Sequence, residues 1–275
     1  MRQIATMLTI AGSDSAGGAG IQADCAAARS VGVFPICAVS CVTSQGRQGL
    51  RMLQLVDEDL FADQMLAAFE DFRPKAVKIG MLPSEKHIRI LIGFLSRYQP
   101  KNVVLDPIMA PSAGGSEEMT CEMWRNPMLL KEIARYVTLF TPNLPEARKI
   151  LESTGITDAY HILTSPEIII RELHNNFRFG HILLKGGHGA EDELKDILSD
   201  PSGDISEVFR HNKIQTPNTH GTGCALSSLI AARLASGENI NSACRQSIES
   251  LQEALLRNSD CNFYLLPEAS GPAFF

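Results

Sequence analysis

The sequence predicts an α/β protein, with a mostly parallel central sheet covered by helices on both faces, folded as one domain. Three observations carry this expectation. Apolar runs of strand length alternate with segments whose apolar residues recur at helical spacing, the order that builds βαβ units. Aromatic residues make up only 6% of the chain against 44% hydrophobic residues, a balance that suits helices on a sheet better than an aromatic-rich sandwich. No Pro/Gly/Ser-rich linker interrupts the 275 residues, and no repeat with a period of roughly 20–50 residues is present. With 20% charged residues, the chain also has enough apolar surface to offset its ordering entropy, which rules out a disordered polymer.

Residues 5–11 read as the first strand. The stretch holds two threonines and runs straight into a glycine loop, unlike a secretory leader with its cleavage site. A helix over 18–31 leaves that loop, and 33–42 reads as a second strand. In 60–72, Phe61, Met65, Phe69 and Phe72 recur at helical spacing. Residues 75–79 form a short strand, Ile88, Leu91, Ile92 and Leu95 mark a helix, and 102–105 is the next strand. Helix 123–135, strand 137–141 and helix 144–152 continue the pattern, and helix 166–178 leads into strand 181–185. An antiparallel pair is expected at 194–198 and 205–211, followed by helices 222–236 and 240–257. In such sheets ligands collect beyond the carboxyl ends of the strands, where the loops share a crevice.

Charge narrows the partners. A formal net charge of −6 provides no global basic field, so neither nucleic acid nor an acidic membrane surface is an expected partner. No run approaches the roughly 18 apolar residues of a membrane span. The seven cysteines, at 25, 37, 41, 121, 224, 244 and 261, are odd in number and contain no C-x-x-C. That argues against a disulfide framework or zinc ribbon and for a reducing, cytoplasmic compartment.

The densest chemical signal is A-G-S-D-S-A-G-G-A-G-I-Q-A-D at 11–24, where a strand enters, glycines let the backbone approach a ligand, and a helix leaves. Gly18 to Ala23 satisfy G-x-G-x-x-A. The acid that a dinucleotide ribose requires is missing, because no acidic residue occurs from Cys25 to Val56. No G-x-x-x-x-G-K-[ST] occurs either. The second signal, T-H-G-T-G-C at 219–224, precedes an apolar helix. Backbone N–H groups at that positive end form an anion hole suited to a phosphoryl group. Cys224 sits on the first turn, where the same field favours a thiolate; its bland reading is a small buried residue. Asp106 ends one strand, and Glu146 follows another in T-P-N-L-P-E. Glu146 reads either as a first-turn carboxylate or, with Asp106, as a holder of Mg²⁺ beside substrate phosphates. Lys185 and its following glycines end a later strand, as a solvated turn or a nucleotide contact. Together these loops describe a phosphotransferase without a Walker A motif.

The opening motif, K-I-G-M-L at 78–82, V-L-D-P-I-M at 104–109, T-P-N-L-P-E-A at 141–147, K-G-G-H at 185–188 and N-T-H-G-T-G-C at 218–224 resemble, in order and spacing, one family. This is the hydroxymethylpyrimidine/phosphomethylpyrimidine kinases, thiamine-biosynthesis enzymes of the ribokinase-like superfamily. The sugar kinases of that superfamily carry an Asp where Cys224 stands. The resemblance implies a ribokinase-like kinase domain over 1–258, with a tail of unknown role at 259–275. It implies ATP-dependent phosphorylation of 4-amino-5-hydroxymethyl-2-methylpyrimidine and its monophosphate, with Mg²⁺, in a homodimer. The pyrimidine would lie near Gly12, Asp14, Thr43, Gln45, Met81 and Ile108. Asp106, Asn143 and Glu146 would organise Mg²⁺ and ATP phosphates, with Asp106 and Glu146 reaching the metal through water or phosphate. Lys185 and His220 would contact ATP. Gly221, Thr222 and Gly223 would form the anion hole, and Cys224 would be the general base.

Three departures stand out against the family pattern. The flap after Asp106-Pro107 reads M-A-P-S-A-G-G at 109–115, without part of the polar set expected to close over phosphate. Arg47 adds a charge near the substrate mouth, and Ala225 replaces the usual Thr after G-T-G-C. The competing readings are a pyridoxal-type kinase, whose substrate is also a hydroxymethylated heterocycle, and a non-catalytic pyrimidine-binding paralogue. A nicotinamide oxidoreductase rests on G-x-G-x-x-A alone.

Overall fold

The computed structural model describes residues 4–46, 49–109, 126–156, 165–186, 193–216 and 220–258. Nine strands form one sheet: β1 (Thr6–Asp14), β2 (Phe34–Gly46), β3 (Gly49–Leu55), β4 (Ala76–Ile79), β5 (Val103–Leu105), β6 (Leu139–Phe140), β7 (His181–Leu184), β8 (Glu193–Ser199) and β9 (Ile205–Asn212). Their order is β3-β2-β1-β4-β5-β6-β7-β8-β9. From β2 to β7 every neighbouring pair is parallel, and antiparallel strands flank this block on both sides. The helices are α1 (Gly20–Ser30), α2 (Glu58–Phe72), α3 (Glu85–Tyr98), α4 (Pro127–Ala134), α5 (Leu144–Glu152), α6 (Pro166–Phe177), α7 (Thr222–Ala235) and α8 (Ile240–Arg257).

The period-2 alternation of strand side chains explains why both faces are covered. Leu8, Ile10, Val103, Leu105 and Phe140 join one core, shared with Phe61, Ile88, Ile133, Ile150 and Ile170 from α2 to α6. Their strand neighbours Met7, Val104 and Leu139 point the other way, into a second core with Leu226, Ile230, Cys244 and Ile248 of α7 and α8. The apolar runs carry no polar face because neither face meets water.

The chain turns from β1 to β2 on one side and later returns to β4 on the other. A crevice therefore opens beyond the carboxyl end of β1, the switch point where α/β sheets bind ligands. The expected antiparallel pair is β8–β9. The strand expected at 33–42 runs on to Gly46 and folds back as β3, a strand the sequence reading lacked. β3 lies half-exposed at the sheet edge, where no continuous buried face demands apolar residues. The strand expected at 137–141 is only Leu139–Phe140. Helix 123–135 begins at Pro127 behind an Asn126 cap, and 123–125 lie outside the described residues. So do Arg47, flap 110–115, Gly187-His188 and the tail 259–275. Among the described residues no helix is long and apolar enough to cross a membrane.

Six of these helices are closed by a side chain at the amino end, from Asp57, Ser84, Asn126, Asn143, Ser165 and Asn239. The other two, α1 and α7, have no side-chain cap, and both begin in the same crevice.

Candidate active site

A cleft of about 630 Å³ opens at the carboxyl ends of β1, β5 and β7, and every residue that the resemblance assigned to catalysis, the pyrimidine or ATP lines it. At one end, Asp14 closes β1 and organises the loop behind it. Its Oδ1 accepts from Ala16 N–H and its Oδ2 from Ala19 N–H, both at 2.9 Å. Gln22 reaches back from α1 to accept Asp14 N–H at 2.9 Å and to donate to Ser13 Oγ at 2.8 Å. Burial would raise the Asp14 carboxyl, but the bonds from His220 and the two amides outweigh it and hold the group below its usual range.

Thr43 and Gln45 come from the far end of β2. Thr43 Oγ1 donates to Ser13 O at 2.9 Å, and Gln45 N–H donates to Ser15 Oγ at 2.8 Å. The Gln45 side-chain amide lies 3.1 Å from His220 Nε2, which is itself 3.2 Å from Asp14 Oδ2. His220 thus stands with Asp14 and Gln45 at this end, although the resemblance assigned it to ATP. Met81 is held by Ser40, whose hydroxyl donates to the Met81 carbonyl at 2.7 Å. A Cβ on Gly12 would meet Cys41 Sγ at 2.8 Å and Met81 Cε at 2.9 Å, so glycine keeps this floor open.

At the centre stands the amino end of α7. Gly221 adopts φ +80°, and a Cβ there would collide with the Gly18 carbonyl, so only glycine lets the two loops mesh. A Cβ on Gly223 would sit 3.5 Å from Lys185 Nζ, which brings a cation to the helix start. Lys185 Nζ donates to Asp106 Oδ1 at 3.2 Å, and Ser227 Oγ donates to Asp106 Oδ2 at 3.1 Å. Burial works against the Asp106 carboxylate, but Lys185 and Lys78 outweigh it and lower its pKa. Lys185 is raised in turn: burial opposes its charge, and Asp106 and Glu146 more than restore it.

Asn143 and Glu146 form a capping box on α5, with Glu146 N–H donating to Asn143 Oδ1 at 2.9 Å and Asn143 N–H to Glu146 Oε2 at 2.7 Å. The bland reading of Glu146 as a first-turn carboxylate is therefore realised. Yet burial first, then Asp106 repulsion, push its carboxyl up to about 7 against the pull of Lys185. Both carboxylates line the cleft and repel one another, and a divalent cation would relieve that repulsion. Among the described residues no group of three or more His, Cys, Asp or Glu could hold a metal alone. Asp106 and Glu146 are oxygen donors of the kind that would suit Mg²⁺ carried mainly by water and phosphate oxygens.

Cys224 departs from expectation. It is buried on the first turn of α7, and burial pushes its thiol up to about 11. Lys78 and a bond from the Gly20 backbone oppose that rise without cancelling it. In the free site Cys224 is a thiol; desolvation outweighs the field of the helix terminus.

Two features escaped the sequence reading. Beneath Cys224, Lys78 and Asp24 form a fully buried ion pair at 2.8 Å, joined by Thr9 and by Ser228, one turn along α7 from Cys224. Each had a visible signal: Asp24 ends the opening motif and Lys78 begins K-I-G-M-L. The distal cleft is walled by Leu194, Leu251 and Leu255. There Asp196 accepts from Gly186 N–H at 2.8 Å and pairs with His211 at 3.1 Å, which raises the His211 pKa against burial.

A family model described as phosphomethylpyrimidine kinase matches residues 14–267. The chain is 35% identical over 227 residues to the hydroxymethylpyrimidine/phosphomethylpyrimidine kinase of Escherichia coli, covering 82% of this chain and 81% of that protein. It is 34% identical over 259 residues to a probable thiamine biosynthetic bifunctional enzyme, chloroplastic, of Oryza sativa, covering 92% of this chain and 45% of that one. It spans about half the length of this and a second plant relative. Among solved structures, an ADP complex of Bacillus subtilis pyridoxal kinase superposes with a TM-score of 0.79 at 28% identity, covering 92% of each chain. A phosphomethylpyrimidine kinase from Clostridium difficile gives 0.71 at 31% identity, covering 91% of this chain and 99% of that one.

Proposed function

The chain belongs to the phosphomethylpyrimidine kinase family, and from that premise we propose that it transfers the terminal phosphoryl group of ATP to 4-amino-5-hydroxymethyl-2-methylpyrimidine. The monophosphate is then phosphorylated again, giving the diphosphate used in thiamine biosynthesis. One observation supports this reading above the rest: two helices lack side-chain caps, both start in the cleft, and one of them opens beside Lys185. The positive ends of both helices face the cleft and favour an anion there.

Phosphoryl transfer through a loose transition state calls for positioning and charge neutralisation more than for covalent chemistry. Gly12, Met81 and Ile108 shape the pyrimidine floor, while Gln45, with His220 behind it, faces the polar edge of the ring. Gly221, Thr222 and Gly223 point their amides at the transferring group, and Lys185 neutralises charge on it. Asp106 and Glu146, with Asn143 fixing the loop, would hold Mg²⁺, which when bound neutralises phosphate charge and draws the phosphates into register. The substrate hydroxyl oxygen forms the new P–O bond as the bond to ADP breaks. Its proton passes to Cys224 Sγ, once that thiol has ionised.

The exposed side chains of Val42, Met52 and Leu55 on the β2–β3 hairpin support a homodimer formed through this edge. The free cysteines support a reducing, cytoplasmic setting. The net charge of −6 supports small-molecule partners rather than nucleic acid. The test is a product-resolved assay with Mg²⁺-ATP that separates mono- from diphosphate, with pyridoxal in a parallel arm. Formation of both pyrimidine phosphates is expected. Pyrimidine binding without ADP release would mark a non-catalytic paralogue, and faster turnover of pyridoxal would overturn the substrate.

A further inference from the structure

Cys25 on α1 and Cys37 on β2 bring their sulfurs to 3.2 Å, and neither lines the cleft. The sheet explains the approach. Cys37 is in register with Thr9 of the neighbouring parallel strand β1, so both side chains leave the same face. Thr9 Oγ1 donates to Asp24, which identifies that face as the one α1 covers. Cys25 follows Asp24 on the helix and meets Cys37. Both cysteines are half-buried, while Cys41, Cys224 and Cys244 are buried.

We infer that Cys25 and Cys37 form a thiol–disulfide exchange site, which small disulfides such as glutathione disulfide close into an intramolecular cystine. A disulfide bond of about 2 Å is reached from the present separation by a small side-chain movement. The two sulfurs have distinct roles. The Cys37 hydrogen bond lowers the Cys25 thiol against burial, and that bond together with burial raises Cys37. Cys25, on the helix that covers the sheet, makes the attack as its thiolate forms, and Cys37, on the strand beneath it, resolves the mixed disulfide. Cys25 Sγ bonds to one sulfur of glutathione disulfide, whose S–S bond breaks and releases one glutathione thiolate. Cys37 gives its proton to solvent and attacks Cys25 Sγ, and the second glutathione thiolate leaves. Two electrons pass from the protein dithiol to the small disulfide, which becomes two thiols.

The experiment uses the folded full-length chain carrying Cys121→Ser and Cys261→Ser, treated with glutathione disulfide and read by intact mass and non-reducing peptide mapping. Loss of two hydrogens, a linked Cys25–Cys37 peptide and reversal by dithiothreitol are expected. With Cys37→Ser added, a stable glutathione adduct on Cys25 is expected. With Cys25→Ser added, no linked peptide forms and modification slows by about tenfold or more, because the attacking sulfur is gone. Thermal unfolding of each variant confirms that the fold is retained. A persistent adduct on Cys25 while Cys37 is present overturns the proposal. So does modification of the pair no faster than of buried Cys244.

Discussion

Lys78 Nζ lies 2.8 and 3.0 Å from the two carboxylate oxygens of Asp24, and both side chains are wholly shut off from solvent. Burial would lower the Lys78 pKa, but Asp24 first and Asp106 after it outweigh burial, so the lysine keeps its charge. Removing one partner leaves the other charge uncompensated. Lys78→Met should cost about 3–5 kcal/mol in urea denaturation, and Lys78→Met with Asp24→Leu should recover most of that loss. If the double variant is as unstable as the single one, the two charges are not coupled in this way.

Glu146 should make nucleotide binding pH-dependent. Its folded pKa of about 7 lies above the ordinary 4.5, so between those values the folded state holds a proton that the unfolded state has lost. The stability that this protonation contributes is complete below 4.5 and is gone once pH passes about 7. Binding of Mg²⁺-ATP needs the carboxylate, so affinity should rise with pH and level off above about 7. Calorimetry in buffers of different ionisation enthalpy should show release of about half a proton at pH 7. Glu146→Gln should abolish that release; an unchanged value would place the proton elsewhere.

Cys224→Ala should lower kcat by about 10²–10⁴-fold with little change in KM, the range a positioned base supplies. Because the resting thiol titrates near 11, kcat/KM of the parent enzyme should climb through the alkaline range. The alanine variant should lose that slope. Near-normal turnover in Cys224→Ala would leave the anion hole intact and end the role of the sulfur.

Gln45→Ala and His220→Ala should each raise KM for the pyrimidine and leave KM for ATP near its starting value. Their side chains touch at 3.1 Å, so a double-mutant cycle should show a coupling of about 0.5–3 kcal/mol. An effect of His220→Ala confined to ATP would return His220 to the nucleotide.

How much was legible follows from what each residue had to satisfy. The parallel strands were visible because both their faces are apolar, so Val103, Val104 and Leu105 could only be interior. β3 was not, since an edge strand with exposed Arg51, Met52 and Gln54 obeys no burial pattern. The loop glycines announced a binding site, because Gly12 and Gly221 have no room for a side chain. The ionisation of Cys224 was misjudged, since the sequence displays a helix start but not the depth at which the sulfur is buried. The burial of Lys78 was hidden for a related reason, although its motif was visible. A lysine inside a strand reads as surface until its partner, on another element, is seen.

The meeting of Gly221 with the Gly18 carbonyl has a consequence for synthesis of the protein. The loop that carries Gly18 leaves the ribosome well before the one that carries Gly221, so the floor of the cleft waits for its roof. A nascent chain can stack its early strands, but it acquires no competence for either ligand until α7 emerges and docks. Long-range closure of this kind is slow, and enzyme activity should be the last property to return when the unfolded chain is allowed to refold.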